Sequence, residues 1–208
     1  MNFFLASSSP RRIELFKMLG VNFKQLKPTI EEEAIRLSNS EPSQIALRIA
    51  EKKLSNVIEN HTFNEKDVVI TADTVVSIGS RLLGKPKDKS QAKDFLKLLS
   101  GSWHEVITAV FIFNNNDIKS FVEKTRVKFR KLSEKVLETY IRTNEPFDKA
   151  GGYAIQGFGG LFVEKIEGDF YNVIGLPIGK VFEIFLIKGW LNGTEFSNSP
   201  KGATVKIR

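Results

Sequence analysis

The chain has 208 residues, 41% of them hydrophobic, enough for a substantial core in one domain or two closely packed lobes, and no apolar run long enough for a membrane span or signal peptide, so a cytoplasmic location is expected. With no cysteine, disulfides and thiolate metal sites are excluded, and His61 and His104 lie too far apart to suggest a zinc motif, so any metal must be held by oxygen. The net charge of +7 suggests an acidic partner such as nucleic acid, a membrane surface or a phosphorylated small molecule, but Lys201, Lys206 and Arg208 lie beyond the last acid, Glu195, and leave only +4 for the body.

The first predicted element is a strand, Phe3 to Ala6, followed by SSSPRR at 7–12. Ser9 can cap a helix whose first residue is Pro10, which puts Arg11 and Arg12 in the first turn. That end of a helix carries partial positive charge and unpaired N–H groups, so two guanidinium groups there imply an anion among them. A pairing with Glu14 is the plainer alternative. Helical spacing continues through Leu15, Met18 and Leu19 and stops at Gly20.

In KPTIEEEAIR, 27–36, Thr29 and Glu32 have capping-box spacing, which suffices as a structural explanation. The functional alternative is that Glu31 or Glu32 helps to hold magnesium, which takes oxygen ligands and needs only one or two from protein. A helix follows through Ala46, Ala50, Leu54, Val57 and Ile58. VVITADTVVSIG, 68–79, holds a strand-like run over 68–76 that is interrupted by Asp73, whose ionised carboxylate is costly in an apolar run unless hydrogen-bonded, paired or metal-bound. It suits a general base or metal ligand near a strand's end, against the alternative of a turn-capping aspartate. GSRLLGKP, 79–86, imitates a phosphate-binding loop but ends in Pro86, which lacks the magnesium-binding hydroxyl, so that reading is rejected. Lys85, stiffened by the proline, is a candidate phosphate contact or a solvated turn lysine.

Ala92, Phe95, Leu96 and Leu99 form another helical stripe closed by Gly101. Strands are expected over 106–113 and 122–129, joined by the turn residues 114–117. In the second strand Lys124, Arg126, Lys128 and Arg130 alternate with Thr125, Val127 and Phe129, giving one basic face, either solvated or a surface for nucleic acid. A helix over 133–141 precedes DKAGGYAIQGFGG, 148–160, where five glycines in thirteen residues alternate with Tyr153, Ile155 and Phe158, a pattern for an ordered backbone lying close to something, with a ligand as the guess. Gln156 offers both donor and acceptor, as a base edge requires. A strand over 161–166 and a helix after Pro177 complete the body, and 191–208 is expected to be a loose basic tail. Strands and helices alternate early and a hairpin intervenes, so the fold class is α/β with a mixed twisted sheet flanked by helices, in one domain over 1–190.

Taken in order, LASSSPRR (5–12), IEE (30–32), AEKK (50–53), ADTVV (72–76), GKP (84–86), DKAGGYAIQG (148–157) and GLP (175–177) resemble the Maf family of nucleoside triphosphate pyrophosphatases over roughly residues 2 to 190. The resemblance implies an elongated sheet around a central nucleotide-binding cleft, similar in fold to the inosine triphosphate pyrophosphatases, with two lobes, often dimeric. It implies hydrolysis to the monophosphate and pyrophosphate with a divalent cation, Mg2+ or Mn2+. It makes Asp73 the proton acceptor, places Ser7, Ser9, Arg11, Arg12, Lys53 and Lys85 around the phosphates, and gives Glu31 or Glu32 to the metal. The DKAG-Y-IQG form resembles the subfamily preferring dTTP and UTP, in which Arg12, Thr74 and Gln156 stand at positions associated with base choice. Ser8, Gly152 and Ala154 depart from the usual motif. The rival readings are a basic nucleic-acid-binding regulator and a nucleotide-sensing partner in cell division.

Overall fold

The computed structural model describes residues 1–36 and 40–191. Strand β1 (Phe3–Ala6) runs into helix α1 (Pro10–Lys17), which has Pro10 at its first position. Then come strand β2 (Phe23–Leu26), the single-turn helix α2 (Glu33–Arg36) and the long helix α3 (Pro42–Asn60). Strand β3 (Val68–Ile78) turns through Gly79 into the short strand β4 (Arg81–Leu83), and helix α4 (Lys89–Leu99) follows. Strands β5 (Trp103–Asn114) and β6 (Asp117–Phe129) form a hairpin whose two loop residues, Asn115 and Asn116, both have positive φ, the geometry of a tight turn that follows the strands' own twist. Helix α5 (Glu134–Ile141), three 3-10 turns within 145–162, strand β7 (Val163–Glu167) and helices α6 (Phe170–Ile174) and α7 (Ile178–Ile187) complete the described chain.

The strands make one mixed sheet in the order β2-β1-β3-β5-β6-β7, with β4 also on β3. The pairs β1–β2 and β1–β3 are parallel, and all others are antiparallel. Because β1 has β2 on one side and β3 on the other, its carboxyl end is a point where the connections diverge and leave a crevice. β5 covers one edge of β3 from Val69 to Ser77. Along the other edge β1 pairs only as far as Thr71 and β4 only from Val76, so the backbone of Ala72 to Val75 has no strand partner there among the described residues.

Three apolar clusters hold the layers. Helices α1 and α7 pack on the Val68, Ile70 and Ala72 face of β3, centred on Phe16 and Phe185. Helix α3 covers the opposite face through Ile45, Ile49, Ala50 and Leu54 against Val69 and Val75. Helices α4 and α5 close the far half of the sheet around Leu96, Phe129 and Leu137. No helix among the described residues is long and apolar enough to cross a membrane.

Several expectations change. Thr29 does not cap α2: its N–H goes to Asn56 Oδ1 at 3.0 Å, and the helix begins after Glu32, whose carbonyl accepts from Ile35 and Arg36. Ser9 stands at the N-cap position of α1, but its side chain caps nothing, while Ser7 Oγ accepts its N–H at 3.2 Å. Within GSRLLGKP, Arg81–Leu83 form the short arm of a β-hairpin instead of a strand-to-helix phosphate loop, which agrees with rejecting that reading. The last strand starts at Val163, because Phe158–Phe162 form a 3-10 turn instead. Of the expected tail, Leu191 packs beside Trp190 in the core, and 192–208 lie outside the described residues.

Phe16 is fully buried and meets the rings of both Phe23 and Phe185 edge-on. Phe16→Ala therefore loses about 3–5 kcal/mol of stability, read as a lower urea midpoint at unchanged slope.

Candidate active site

A cleft of about 340 Å³ opens at the carboxyl end of β1. Its walls are the Ser7 to Arg12 turn, Glu32 and Arg36 of α2 and its approach, Lys53 of α3, Asp73 and Thr74 of β3, Lys85 after β4, Asp148 to Ala150, Tyr153 and the α6–α7 junction. The bare edge of β3 explains how successive residues serve one cleft. Asp73 and Thr74 point to opposite faces of the sheet, Asp73 toward α3 and Thr74 toward α1, and both reach the gap because no neighbouring strand fills it.

Asp73 is 3% exposed. Its Oδ1 accepts from Lys53 Nζ at 2.8 Å, and Arg36 Nη2 lies 3.2 and 3.1 Å from its two oxygens. The same two cations hold Glu32, Lys53 at 2.8 Å and Arg36 at 2.6 Å. The four groups alternate in sign around a closed ring, which is how a carboxylate survives in an apolar strand. Lys53 is placed by helical spacing: Ile49, Ala50, Lys53, Leu54 and Val57 share the buried stripe of α3, whereas Lys52 faces outward.

Arg12 is buried on the other side of β3. Its Nε donates to Gly175 O at 2.7 Å and its Nη2 to Thr74 Oγ1 at 2.8 Å, so α1 is tied to both β3 and the α6–α7 junction. Thr74 Oγ1 also lies 2.9 Å from Thr108 Oγ1. Burial lowers the Arg12 pKa, and the charge of Asp73 opposes that shift. Burial likewise pulls Arg36 down, but Asp73 and Glu32 outweigh it and raise the group overall. At Glu32 burial pushes upward, yet the charge and hydrogen bond of Lys53, with those of Arg36, hold the carboxyl at about 2.

Of the residues expected from sequence, Ser7, Ser9, Arg11, Arg12, Glu32, Lys53, Asp73, Thr74 and Lys85 all line this cleft. Glu31 does not: it borders a separate shallow groove with Lys52 and Asn56, so of the two candidate carboxylates only Glu32 reaches Asp73's surroundings. Gln156 is exposed and outside the cleft lining. Sequence reasoning missed Arg36, whose signal was its i+4 spacing from Glu32, and Asp148 and Lys149, which enter the cleft beside Arg11 and pair with each other. The basic face of β6 exists, since Lys124, Arg126 and Arg130 are exposed while Thr125, Val127 and Phe129 are buried. However, Arg126 lies opposite Glu105 and Glu167 in the strand register and bonds Glu167 at 2.9 Å, and Lys128 and Arg130 donate to backbone carbonyls. That face is a largely internally paired sheet surface.

A mixed sheet with a helix N-terminus, buried cations and two carboxylates gathered where its strands diverge defines an α/β protein with a charge-lined cleft at a topological switch point. The family pattern described as Maf-like protein matches residues 2–186, and the chain belongs to that family. It is 45% identical to a dTTP/UTP pyrophosphatase of Thermosipho melanesiensis over 184 residues, 88% of this chain and 96% of that one. A protein of the same name from Clostridioides difficile is 45% identical over 186 residues, covering 88% and 93%. Another from Thermotoga maritima is 41% identical over 202 residues, covering 97% of each chain.

The depressed Glu32 carboxyl makes stability depend on acid. An unfolded glutamate titrates near about 4.3, so the folded protein gains from Glu32 above that pH and loses the gain as pH falls toward about 2. Melting temperature measured across pH 2 to 5 is expected to fall less steeply in Glu32→Gln than in wild type, because the variant has no proton to take up there.

Proposed function

We propose that the protein hydrolyses dTTP and UTP to the monophosphate and pyrophosphate, with Asp73 as the proton acceptor. The observation that carries the reaction is the buried Asp73 carboxylate, opening on a cleft lined with Ser7, Ser9, Arg11, Arg12, Lys53 and Lys85. The choice of nucleotide rests on the relatives' shared name.

In this reading the triphosphate lies over the N-terminus of α1, with Arg11, Lys53, Lys85 and the hydroxyls of Ser7 and Ser9 around it. Its negative charge competes with Asp73 and Glu32 for Lys53 and Arg36, which frees an Asp73 oxygen to accept hydrogen from water. The water oxygen bonds to the α-phosphorus, the bond from that phosphorus to the bridging oxygen breaks, and pyrophosphate leaves with its charge balanced by the cations. The proton from water passes to Asp73. Catalysis of this kind needs positioning and charge stabilisation, which is why the cleft works without cysteine or histidine. Arg12 and Thr74, held against Gly175, form the end of the cleft suited to the base, whereas Gln156, exposed and outside the lining, would meet the base only if the glycine-rich segment moved toward it.

A divalent cation, Mg2+ or Mn2+, belongs to this reading. The described residues contain no cluster of three potential ligands, but Glu32 and Asp73 present carboxylates to the same Lys53 Nζ, each at 2.8 Å. Two carboxylates supplemented by water and substrate phosphates suit magnesium, which seldom relies on an all-protein cage. Glu32 and Asp73 would hold such a cation, which would supply neutralisation of phosphate charge and polarisation of the scissile group.

The test is pyrophosphate release from a panel of nucleoside triphosphates with Mg2+ or Mn2+. Fast release from dTTP and UTP is expected, and Asp73→Asn is expected to lose about 10²–10⁴-fold in turnover while still binding UTP in calorimetry. Normal turnover in that variant would remove Asp73 from the mechanism.

A further inference from the structure

The glycines of 148–160 looked like a backbone making room for a ligand, but what they make room for is largely the protein itself. A Cβ on Gly160 would overlap Ile155 O, and one on Gly159 would lie 2.9 Å from Tyr153 Cβ and 3.0 Å from the Ala154 backbone. On Gly157, a Cβ would overlap the carboxylate of Glu145. The segment is wound tightly on its own first half and around one acidic side chain.

That side chain is fully engaged. Glu145 Oε2 accepts the N–H of Phe158 at 3.0 Å, and Oε1 accepts the N–H of Gly159 and the hydroxyl of Tyr140, each at 3.0 Å. Two successive N–H groups closing on a carboxylate form a small anion-binding nest filled from within the chain. The nest joins three pieces: the last turn of α5 through Tyr140, the 3-10 turn at Glu145–Asp148, and the 3-10 turn at Phe158–Phe162. One carboxylate therefore closes a loop of backbone running from 145 to 158. On that loop sit Asp148, Lys149, Ala150 and Tyr153, which line the cleft, and Gln156, which is exposed outside the lining.

The loop has other anchors among the described residues: the backbone of Ala154 hydrogen-bonds the Tyr140 hydroxyl and Ile155 packs on the core, and two more lie on its cleft side. Gly151 N donates to Gly84 O at 3.0 Å beside Lys85, and the Tyr153 hydroxyl lies 2.7 Å from His104 Nε2. These fix the first half of the loop to the residue after β4 and to β5. Beyond Ile155 and Gln156, the return half is tied by Glu145 to the N–H groups of Phe158 and Gly159.

We infer that Glu145 is a positioning residue for substrate: its carboxylate sets the conformation of the glycine-rich loop and thereby the placement of the Asp148–Lys149 corner in the cleft wall. This rests on the pyrophosphatase reading above. Because Glu145 does not line the cleft, its loss should weaken nucleotide binding more than the chemical step.

The experiment compares wild type with Glu145→Ala, Glu145→Gln, Gly157→Ala and the double variant Glu145→Ala/Gly157→Ala, using UTP with Mg2+. Glu145→Ala is expected to raise KM about tenfold with kcat within about twofold, and to retain a cooperative melt, since the Gly84 and His104 anchors remain. Glu145→Gln, keeping one acceptor oxygen, should fall between it and wild type. Gly157→Ala should reproduce the KM effect by displacing the carboxylate. The double variant should then be no worse than the poorer single one, because the methyl group occupies space the alanine at 145 has vacated. In substrate-free protein the amide protons of Phe158 and Gly159 should lose their carboxylate-bonded NMR shift in Glu145→Ala. Unchanged KM in that variant despite the lost shift would overturn the inference, as would a fall in kcat at constant KM or fully additive single effects. If the wild type released no pyrophosphate, the reading of the reaction would fall on its own. Glu145 would then be decided by calorimetry with UTP: tenfold weaker binding in Glu145→Ala would support it, and equal or absent binding in both proteins would overturn it.

Discussion

An ionised carboxylate inside an apolar strand is a constraint that the surrounding structure must answer, and Asp73 sets it here. Left alone, such a group would cost several kcal/mol or take up a proton. Lys53 and Arg36 meet it from two helices, and Glu32 balances those two cations in turn. This ring dictates that α3 lie across β3 with Lys53 on its buried stripe, and that the approach to α2 fold back over the same place. The cleft is what remains between this arrangement and the α1 turn on the other side of β3.

Arg12 performs the corresponding task for the second wall. A buried guanidinium needs acceptors, and its partners are a backbone carbonyl at Gly175 and the Thr74 hydroxyl. Gly175 has a φ of 127°, which favours glycine, and that turn presents its carbonyl to Arg12 just before α7 begins. The two arginines at the start of α1 thus have different occupations. Arg12 is part of the architecture as well as a wall of the cleft, whereas Arg11 is partly exposed near Asp148 at the mouth.

Most of the sheet was legible because its signals are local. The alternation of Thr125, Val127 and Phe129 with basic residues, the asparagine turn between β5 and β6, and the stripes of α3 and α4 each follow from a repeat of two or about 3.6 residues. The strands β2 and β4 and the helix α6 were not legible. FKQL, RLL and FYNVI are too short to show a period, and their conformation comes from the partners they meet. At the site, Asp73 stood out because a charge interrupts an apolar run. Arg36 did not, because an arginine four residues from a glutamate on a helix reads as an ordinary surface pair. Adjacent Glu31 and Glu32 are chemically identical in sequence, and only the path of the chain into α2 separates the one facing the cleft from the one facing the groove. The glycine-rich segment was correctly expected to be ordered, but its neighbour turned out to be its own backbone and a glutamate that precedes it.

The bare edge of β3 has a consequence for how the protein behaves in company. Unpaired backbone along a strand is adhesive, and any extended chain that reached Ala72 to Val75 could continue the sheet where β1 and β4 leave off. Here the gap is only four residues wide, is walled by the turn after β1 and by β4, and has a charged ring beside it that an intruding strand would have to strip of its partners. The gap that lets Asp73 and Thr74 open on one cleft is therefore short, and the charges beside it make it a poor place for an added strand.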